Sequence, residues 1–269
     1  MQIKILGTGA AEGWPGVFCG CEACRKIREL GGKNIRSRAS LQIGPCHKID
    51  LPPDAWYHSA VRGADLTNLE YLFITHSHQD HLALKQLEFL APPFAHCRPA
   101  PLKLYGSDAV LAVTRAHLEE IAGKSTLLIE AEPFTPIDAQ QFSFTPIIAS
   151  HKPDELCFNY VVSSQDRTIL YACDTGWYPD ETWAFLETLR LDCVIAECTN
   201  GPVPGGVYHL DFEYLYRMKQ RLEAAGAFDG GVFVATHFSH NINLTHDELE
   251  QTLEAHGIQA AYDGMEFLV

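Results

Sequence analysis

The stretch Phe73-Ile74-Thr75-His76-Ser77-His78-Gln79-Asp80-His81-Leu82 decides the reading of this chain. Three histidines and one aspartate fall between His76 and His81, directly after the apolar run Tyr71-Leu72-Phe73-Ile74. That run reads as a strand over Tyr71–Thr75. On extended backbone, His76 and His78 point to the same side. Asp80 and His81 then fall where the chain turns into a helix expected over Leu82–Leu90. Imidazole and carboxylate donors suit zinc, manganese or iron, and no thiol belongs to the group, which argues against a thiolate-rich centre. The cluster offers too many donors for one tetrahedral ion with an open position. Two ions, bridged by one further ligand, are the natural solution.

The same placement recurs along the chain. His151 follows Phe144-Thr145-Pro146-Ile147-Ile148-Ala149-Ser150, Asp174 follows Thr168-Ile169-Leu170-Tyr171-Ala172-Cys173, and His237 follows Val232-Phe233-Val234-Ala235-Thr236. Any one of these alone reads as a satisfied polar residue at a strand terminus. Four such ends, one bearing the His/Asp cluster, point to ligands converging on one edge of a sheet from a rigid platform.

Further apolar runs predict strands at Ile3–Leu6, Ser40–Ile43, Lys48–Asp50, Phe142–Ile148, Phe158–Val162, Thr168–Ala172, Cys193–Ala196 and Val232–Ala235. Helices are expected over Asp108–Ile121, Pro179–Leu189, Asp211–Ala225 and Thr245–His256. Thr245 with Glu248 forms a capping box, and Gly257 ends that helix. Asp211 caps its helix and Gly226 stops it.

Cys19, Cys21 and Cys24 are spaced C-x-C-x-x-C, which reads as zinc ligation with a fourth ligand from elsewhere. The nine cysteines are an odd number, and the N-terminus reads as a first strand and not as a signal peptide. The expectation is therefore reduced thiols in a cytoplasm. The 269 residues can bury a substantial core, and no apolar run approaches the ~20 residues of a membrane span. No linker or repeat divides the chain, so one domain over residues 1–269 is expected. With 20 basic and 34 acidic residues the formal charge is −14, which disfavours long nucleic acids as partners and leaves room for a small anionic substrate at a metal centre. A homodimer is compatible with this composition.

Thr75-His76-Ser77-His78-Gln79-Asp80-His81 resembles the HxHxDH signature of the metallo-β-lactamase superfamily, and His151, Asp174 and His237 follow in the family's order. The resemblance implies an α/β fold, a four-layer αββα sandwich with a dinuclear site at the edge of its two sheets. It also implies a ligand set. One metal takes His76, His78 and His151; the other takes Asp80, His81 and His237; Asp174 bridges. The N-terminal stretch from Gly7 to Arg25 and the segment Thr236-His237-Phe238-Ser239-His240-Asn241 are similar to the branch containing the phosphoribosyl cyclic phosphate phosphodiesterases of the carbon–phosphorus lyase pathway. That likeness implies a structural zinc held by Cys19, Cys21, Cys24 and His240. The proteins of the pyrroloquinoline quinone synthesis B type share much of this pattern.

By the same resemblance His209 is an additional active-site histidine, a general acid or a phosphate-oxygen ligand. Together with Asp80 and Asp174 it makes up the expected catalytic group. The implied activity is hydrolysis of a small, cyclic or linear, phosphodiester with two divalent ions, zinc or manganese. Lactone or thioester hydrolysis on the same site, and an oxygenase or accessory role like that of the quinone-synthesis relatives, are the alternatives, because the fold supports many chemistries. A tRNA-processing nuclease fits the acidic charge poorly. One departure from the branch stands out: Asp50 is followed by Leu51-Pro52-Pro53, where a small residue and glycine are usual. His47, His58, His96, His117, His246 and His256 read as surface or capping residues.

Overall fold

A computed structural model describes residues 1–120 and 125–269. In chain order the strands are β1 (Gln2–Gly7), β2 (Ser40–Ile43), β3 (His47–Ile49), β4 (Tyr71–Phe73), β5 (Leu102–Gly106), β6 (Thr126–Glu130), β7 (Ile137–Ala139), β8 (Phe142–Ile148), β9 (Phe158–Ser163), β10 (Thr168–Ala172), β11 (Leu191–Glu197), β12 (Phe228–Thr236), β13 (Gln259–Ala260) and β14 (Met265–Leu268). The helices are α1 (Glu22–Leu30), α2 (Ala55–Ala60), α3 (Asp108–Glu120), α4 (Asp180–Leu186), α5 (Phe212–Ala224) and α6 (His246–Glu254). Among the described residues the strands form two seven-stranded sheets, in the orders β14-β1-β2-β3-β4-β5-β6 and β13-β12-β11-β10-β9-β8-β7.

The layering follows from strand alternation. In β4, Tyr71 and Phe73 join one apolar cluster while Leu72 joins another. In β10, Ile169 and Tyr171 face one way and Leu170 and Ala172 the other. Strands buried on both faces read as unbroken apolar runs, as these do. Three cores result. The first lies between the sheets, where Phe73 stacks on Phe144 with ring centroids 3.8 Å apart. The second lies outside the second sheet and takes Trp183 of α4, Leu215 and Met218 of α5, and Leu249 of α6. The third lies outside the first sheet, with Ala55 of α2 and Val110 and Leu111 of α3. Two sheets between two helical layers give the αββα sandwich expected from the sequence.

Topology places the site. β3, β4, β5 and β6 run parallel, as do β10, β11, β12 and β13. β8 is antiparallel to β9, which is antiparallel to β10, so β8 and β10 run the same way. The carboxyl ends of β8, β10, β11 and β12 therefore share one edge, where ligands bind in open α/β sheets.

Several expected elements shift for local reasons. The strand expected to reach Thr75 stops at Phe73, because the Thr75 amide donates to Asp50 Oδ1 at 2.8 Å instead of to a neighbouring strand. Asp50 itself leaves β3 with φ +61°. The helix expected from Leu82 is a 3-10 segment at Leu84–Leu90, since Leu82 pairs with Leu51 in a bridge and Ala83 N–H bonds Leu51 O. The helix over Asp108–Ile121 is observed to Glu120, and Ile121 lies outside the described residues. The helix expected over Pro179–Leu189 ends at Leu186, its last amides turning to tighter bonds such as Leu189 N–H to Leu186 O. The capping box of α6 and the Asp211 cap of α5 are both formed. α1, α2, β5, β6, β7, β13 and β14 were not expected from the sequence.

Three histidines read as surface or capping residues are buried. His47 stacks on Tyr71 and donates Nε2–H to Ala139 O at 3.0 Å. His58 donates to Ser37 Oγ at 2.9 Å, while Ser37 Oγ donates to Asp263 Oδ2 at 2.6 Å. His246 Nδ1 accepts from the buried Arg36 guanidinium at 3.1 Å, and that guanidinium also donates to Thr8 Oγ1. Each imidazole makes one short bond through one ring nitrogen, while His47 Nδ1, His58 Nδ1 and His246 Nε2 are buried without a hydrogen-bond partner among the described residues. No described helix is long and apolar enough to cross a membrane.

Candidate metal centre

The sharp turn after β4 carries the His/Asp cluster into the shared sheet edge. His76 Nε2 lies 2.8 Å from His78 Nδ1, and His151 Nε2 lies 3.2 Å from the same atom. These three nitrogens and an Asp174 carboxylate oxygen form one donor group with all atoms within 4.8 Å of each other. Asp80, His81, Asp174 and His237 form a second group to the same limit. Asp174 stands between them. Its Oδ2 is 2.8 Å from His81 Nε2, 3.6 Å from His76 Nε2 and 3.7 Å from His151 Nε2, and its Oδ1 is 3.2 Å from His237 Nε2. Asp174 and His237 both hold φ +55°, a left-handed conformation that side chains rarely adopt and that packing must impose.

The outward nitrogens of four of the five rings are occupied. Asp50, fully buried, accepts His81 Nδ1–H at 2.7 Å and also the Thr75 hydroxyl. His76 Nδ1 bonds Thr75 Oγ1 at 3.0 Å, His237 Nδ1 bonds Thr199 Oγ1 at 2.8 Å, and His151 Nδ1–H reaches Tyr208 O at 3.2 Å. A carboxylate, hydroxyl or carbonyl on the outer nitrogen fixes the tautomer and turns the inner one to a metal.

The residues fit divalent metal ions. Among the described residues, His81 Nε2, His237 Nε2 and Asp174 Oδ1 are buried side-chain atoms without an aligned hydrogen-bond partner. Unpaired buried polar atoms are costly, so three facing one point call for another partner. Charge says the same. Burial disfavours ionised His81, yet Asp80, Asp50 and Asp174 outweigh it and hold its pKa well above the usual value. A site with that many carboxylates draws positive charge. Zinc–nitrogen bonds of ~2.0–2.1 Å put tetrahedral ligand nitrogens ~3.3 Å apart, close to the spacing of His78 and His151.

His209 completes the edge. Its Nδ1 lies 2.9 Å from Glu197 Oε1 and 3.3 Å from Asp174 Oδ1. Burial disfavours its charged form, but the Glu197 carboxylate and then Asp174 prevail, and its pKa rises to about 9. Glu197, at the carboxyl end of β11, is fully buried and also accepts the amides of Thr175, Thr199 and Leu210. Glu197 and the supporting role of Asp50 escaped the sequence reading. Glu197 obeyed the same rule as the ligands, a polar residue directly after an apolar strand.

A second cluster lies between α1 and the loop after β12. Cys19, Cys21, Cys24 and His240 bring their donor atoms within 4.8 Å of each other. Cys24 Sγ is 3.3 Å and Cys21 Sγ 3.8 Å from His240 Nδ1. Tetrahedral zinc separates such sulfur and nitrogen ligands by ~3.6 Å. Cys21 caps α1, and its thiol pKa falls to about 6 through the Cys24 amide and then His240, while burial lifts Cys24 to about 11. Glu12 accepts Ser239 Oγ–H at 2.7 Å beside His240 and steadies that loop.

With this geometry the chain's relationships are clear. Residues 50–238 match the family described as the β-lactamase superfamily domain, and the chain belongs to that superfamily. It is similar over its whole length to a protein called octanoyltransferase from Porphyromonas gingivalis, at 24% identity across 52% of that protein. The chain spans about half the length of the curated relatives it matches. Among solved structures it resembles a diphosphatase of the PhnP family, with 22% identity, a TM-score of 0.79, and coverage of 100% of this chain and 97% of that one. It also resembles zinc-bound PqqB from Methylobacterium extorquens, at 14% identity and a TM-score of 0.76 over the full length of both. The metallo-β-lactamase fold is thus established, together with the divalent metal binding that this fold implies.

Proposed function

We propose that this chain is a dinuclear metal-dependent hydrolase of a small anionic phosphodiester, cyclic ones included, built as one domain. His76, His78 and His151 hold one ion, Asp80, His81 and His237 hold the other, and Asp174 bridges them. Zinc or manganese fits these donors. The observation that carries the reading is Asp174: one buried carboxylate reaching both donor groups, with the His209–Glu197 pair 3.3 Å away. Cys19, Cys21, Cys24 and His240 hold a structural zinc apart from the reaction.

When bound, a pair of ions lowers the pKa of the attacking water and stabilises charge on the phosphoryl oxygens. The chain's own residues do the rest. Glu197 accepts His209 Nδ1–H, which leaves Nε2 to deliver a proton to the leaving oxygen. His209 keeps 28% of its side chain exposed, so it can meet a substrate arriving from solvent. Asp80 and Asp174 fix the imidazoles electrostatically. The net charge of −14 favours a small substrate over a polymeric phosphate.

A second reading has its own observation. This chain matches 52% of the length of a protein named octanoyltransferase, which supports hydrolysis of an acyl thioester or ester on the same ions. A cavity of about 620 Å³ has walls from Leu51, Trp56, Phe89 and Phe94, and Leu51 directly follows Asp50. That apolar volume would suit an acyl chain.

One screen separates the readings. The holoprotein is assayed with bis-p-nitrophenyl phosphate, 2′,3′-cyclic nucleotides, lactones and acyl thioesters, with metal content measured on the same sample. Phosphodiester turnover dependent on metal supports the first reading. Thioester turnover without phosphodiester turnover supports the second and overturns the first.

A further inference from the structure

The loop between β8 and β9 carries His151 near its start and Glu155 near its end. It is closed by Ala149 N–H to Cys157 O at 3.0 Å. Glu155 reaches across to the turn after β4. Its Oε1 accepts the Ser77 amide at 2.6 Å, and its Oε2 accepts the Ser77 hydroxyl and the Lys152 ammonium, the latter at 2.7 Å. Lys152 also donates to Ser77 Oγ at 3.1 Å. The Glu155 side chain is 2% exposed. Ser77 sits between His76 and His78, and Lys152 follows His151. One carboxylate therefore binds the residues adjoining all three imidazoles of one donor group. Among the described residues, no hydrogen bond or ion pair joins its side chain to a residue adjoining Asp80, His81 or His237.

We infer that Glu155 is a positioning residue for the His76–His78–His151 group, holding two chain segments at the separation one ion needs. The inference rests on the metal reading of that site. A carboxylate anchored by a backbone amide, a hydroxyl and an ammonium is a stiff strut, because charge-assisted bonds are short and directional. Removing it leaves the three rings in their two loops but lets the His151 loop drift from the His76–His78 turn. Outer residues of this kind carry ~10–100-fold of metal affinity.

The test is zinc binding by the metal-stripped full chain, titrated against a chelator of known affinity, with no substrate involved. Glu155→Ala should weaken one active-site step by ~10–100-fold, leaving the other active-site step, the structural step and the melting temperature unchanged. Glu155→Gln should recover most of the loss, since its amide oxygen still accepts Ser77 N–H. Ser77→Ala, which keeps the backbone bond and removes the hydroxyl bond, should weaken the same step by a smaller factor. In an Asp80→Ala background, where the other group is crippled, the Glu155 effect should persist. Equal weakening of every step with a lower melting temperature would show a general structural role and overturn the inference. So would unchanged affinities throughout. If the unmutated chain takes up only the structural zinc, the metal reading itself has failed. If it takes up all three and Glu155→Ala does too with equal affinity, the strut alone has failed.

Discussion

Cys24 Sγ and His240 Nδ1 meet at 3.3 Å although 216 residues separate them in sequence. That contact joins the N-terminal loop to the loop that carries His237, three residues upstream of His240. A zinc there would clip both segments, and closed zinc sites contribute directly to folding. Cys21→Ser should release one tightly bound zinc, lower the melting temperature by ~5–10 °C for a loss of a few kcal/mol, and loosen metal at the active site. Calorimetry and metal analysis check this. Unchanged stoichiometry and melting temperature would mean free thiols.

Asp174 is the shared member of both donor groups. Asp174→Ala should cut turnover by ~10²-fold or more and reduce active-site metal from two ions to one or none, with the structural zinc kept. The φ of +55° at Asp174 makes Asp174→Asn the gentler control, since asparagine tolerates that conformation. Two retained ions and near-normal activity in either variant would refute the bridge.

His209→Ala should retain both ions and lower kcat by ~10²–10⁴-fold. The loss should shrink for substrates with a good leaving group such as p-nitrophenolate, which needs little protonation. Glu197→Gln should copy part of this effect, because it weakens the hold on His209 Nδ1. A loss independent of leaving group would assign His209 to substrate binding.

Lys48 gives the stability a predictable pH dependence. The side chain is fully buried beneath Asp50, donating to Ser40 Oγ and Asp50 O. Burial holds its pKa down to about 7, against the opposing pull of Asp50 and Asp54, and His58 lies close by. The unfolded lysine keeps its proton to about pH 10.5. Between these values the unfolded chain binds the extra proton, so this residue's contribution to stability rises with pH by ~1.4 kcal/mol per unit. Urea unfolding at about pH 7.5 and about pH 9.5 should therefore show a steeper gain in the unmutated chain than in Lys48→Met. Parallel pH responses in the two would place the charge of Lys48 in solvent.

The parts of the site legible in sequence share one property. His76, His151, Asp174 and His237 follow apolar runs whose alternation already fixes which way the strand leaves the core. The thiol spacing at Cys19, Cys21 and Cys24 is legible for a similar reason, since a local loop sets it. What sequence hid is pairing across the chain. Asp50 supports His81 from 31 residues away, Glu197 supports His209, and Glu155 reaches Ser77 across 78 residues. Nothing in local composition announces such partners. Buried His47, His58 and His246 were hidden likewise, because a neutral imidazole enters a core wherever the fold supplies one acceptor or donor. The outer strand β14 and the short helix α2 escaped for want of strong periodicity, and β4 ended early because a carboxylate competed for the Thr75 amide.

The central claim is that two ions at the Asp174 edge perform hydrolysis. The most direct measurement strips the active-site metal from the holoprotein and restores zinc or manganese stepwise, following bis-p-nitrophenyl phosphate hydrolysis and bound metal together. The account predicts no turnover without metal and activity that saturates only when two ions per chain have returned beyond the structural zinc. Full hydrolysis by the stripped chain, or saturation at a single returned ion, would contradict it.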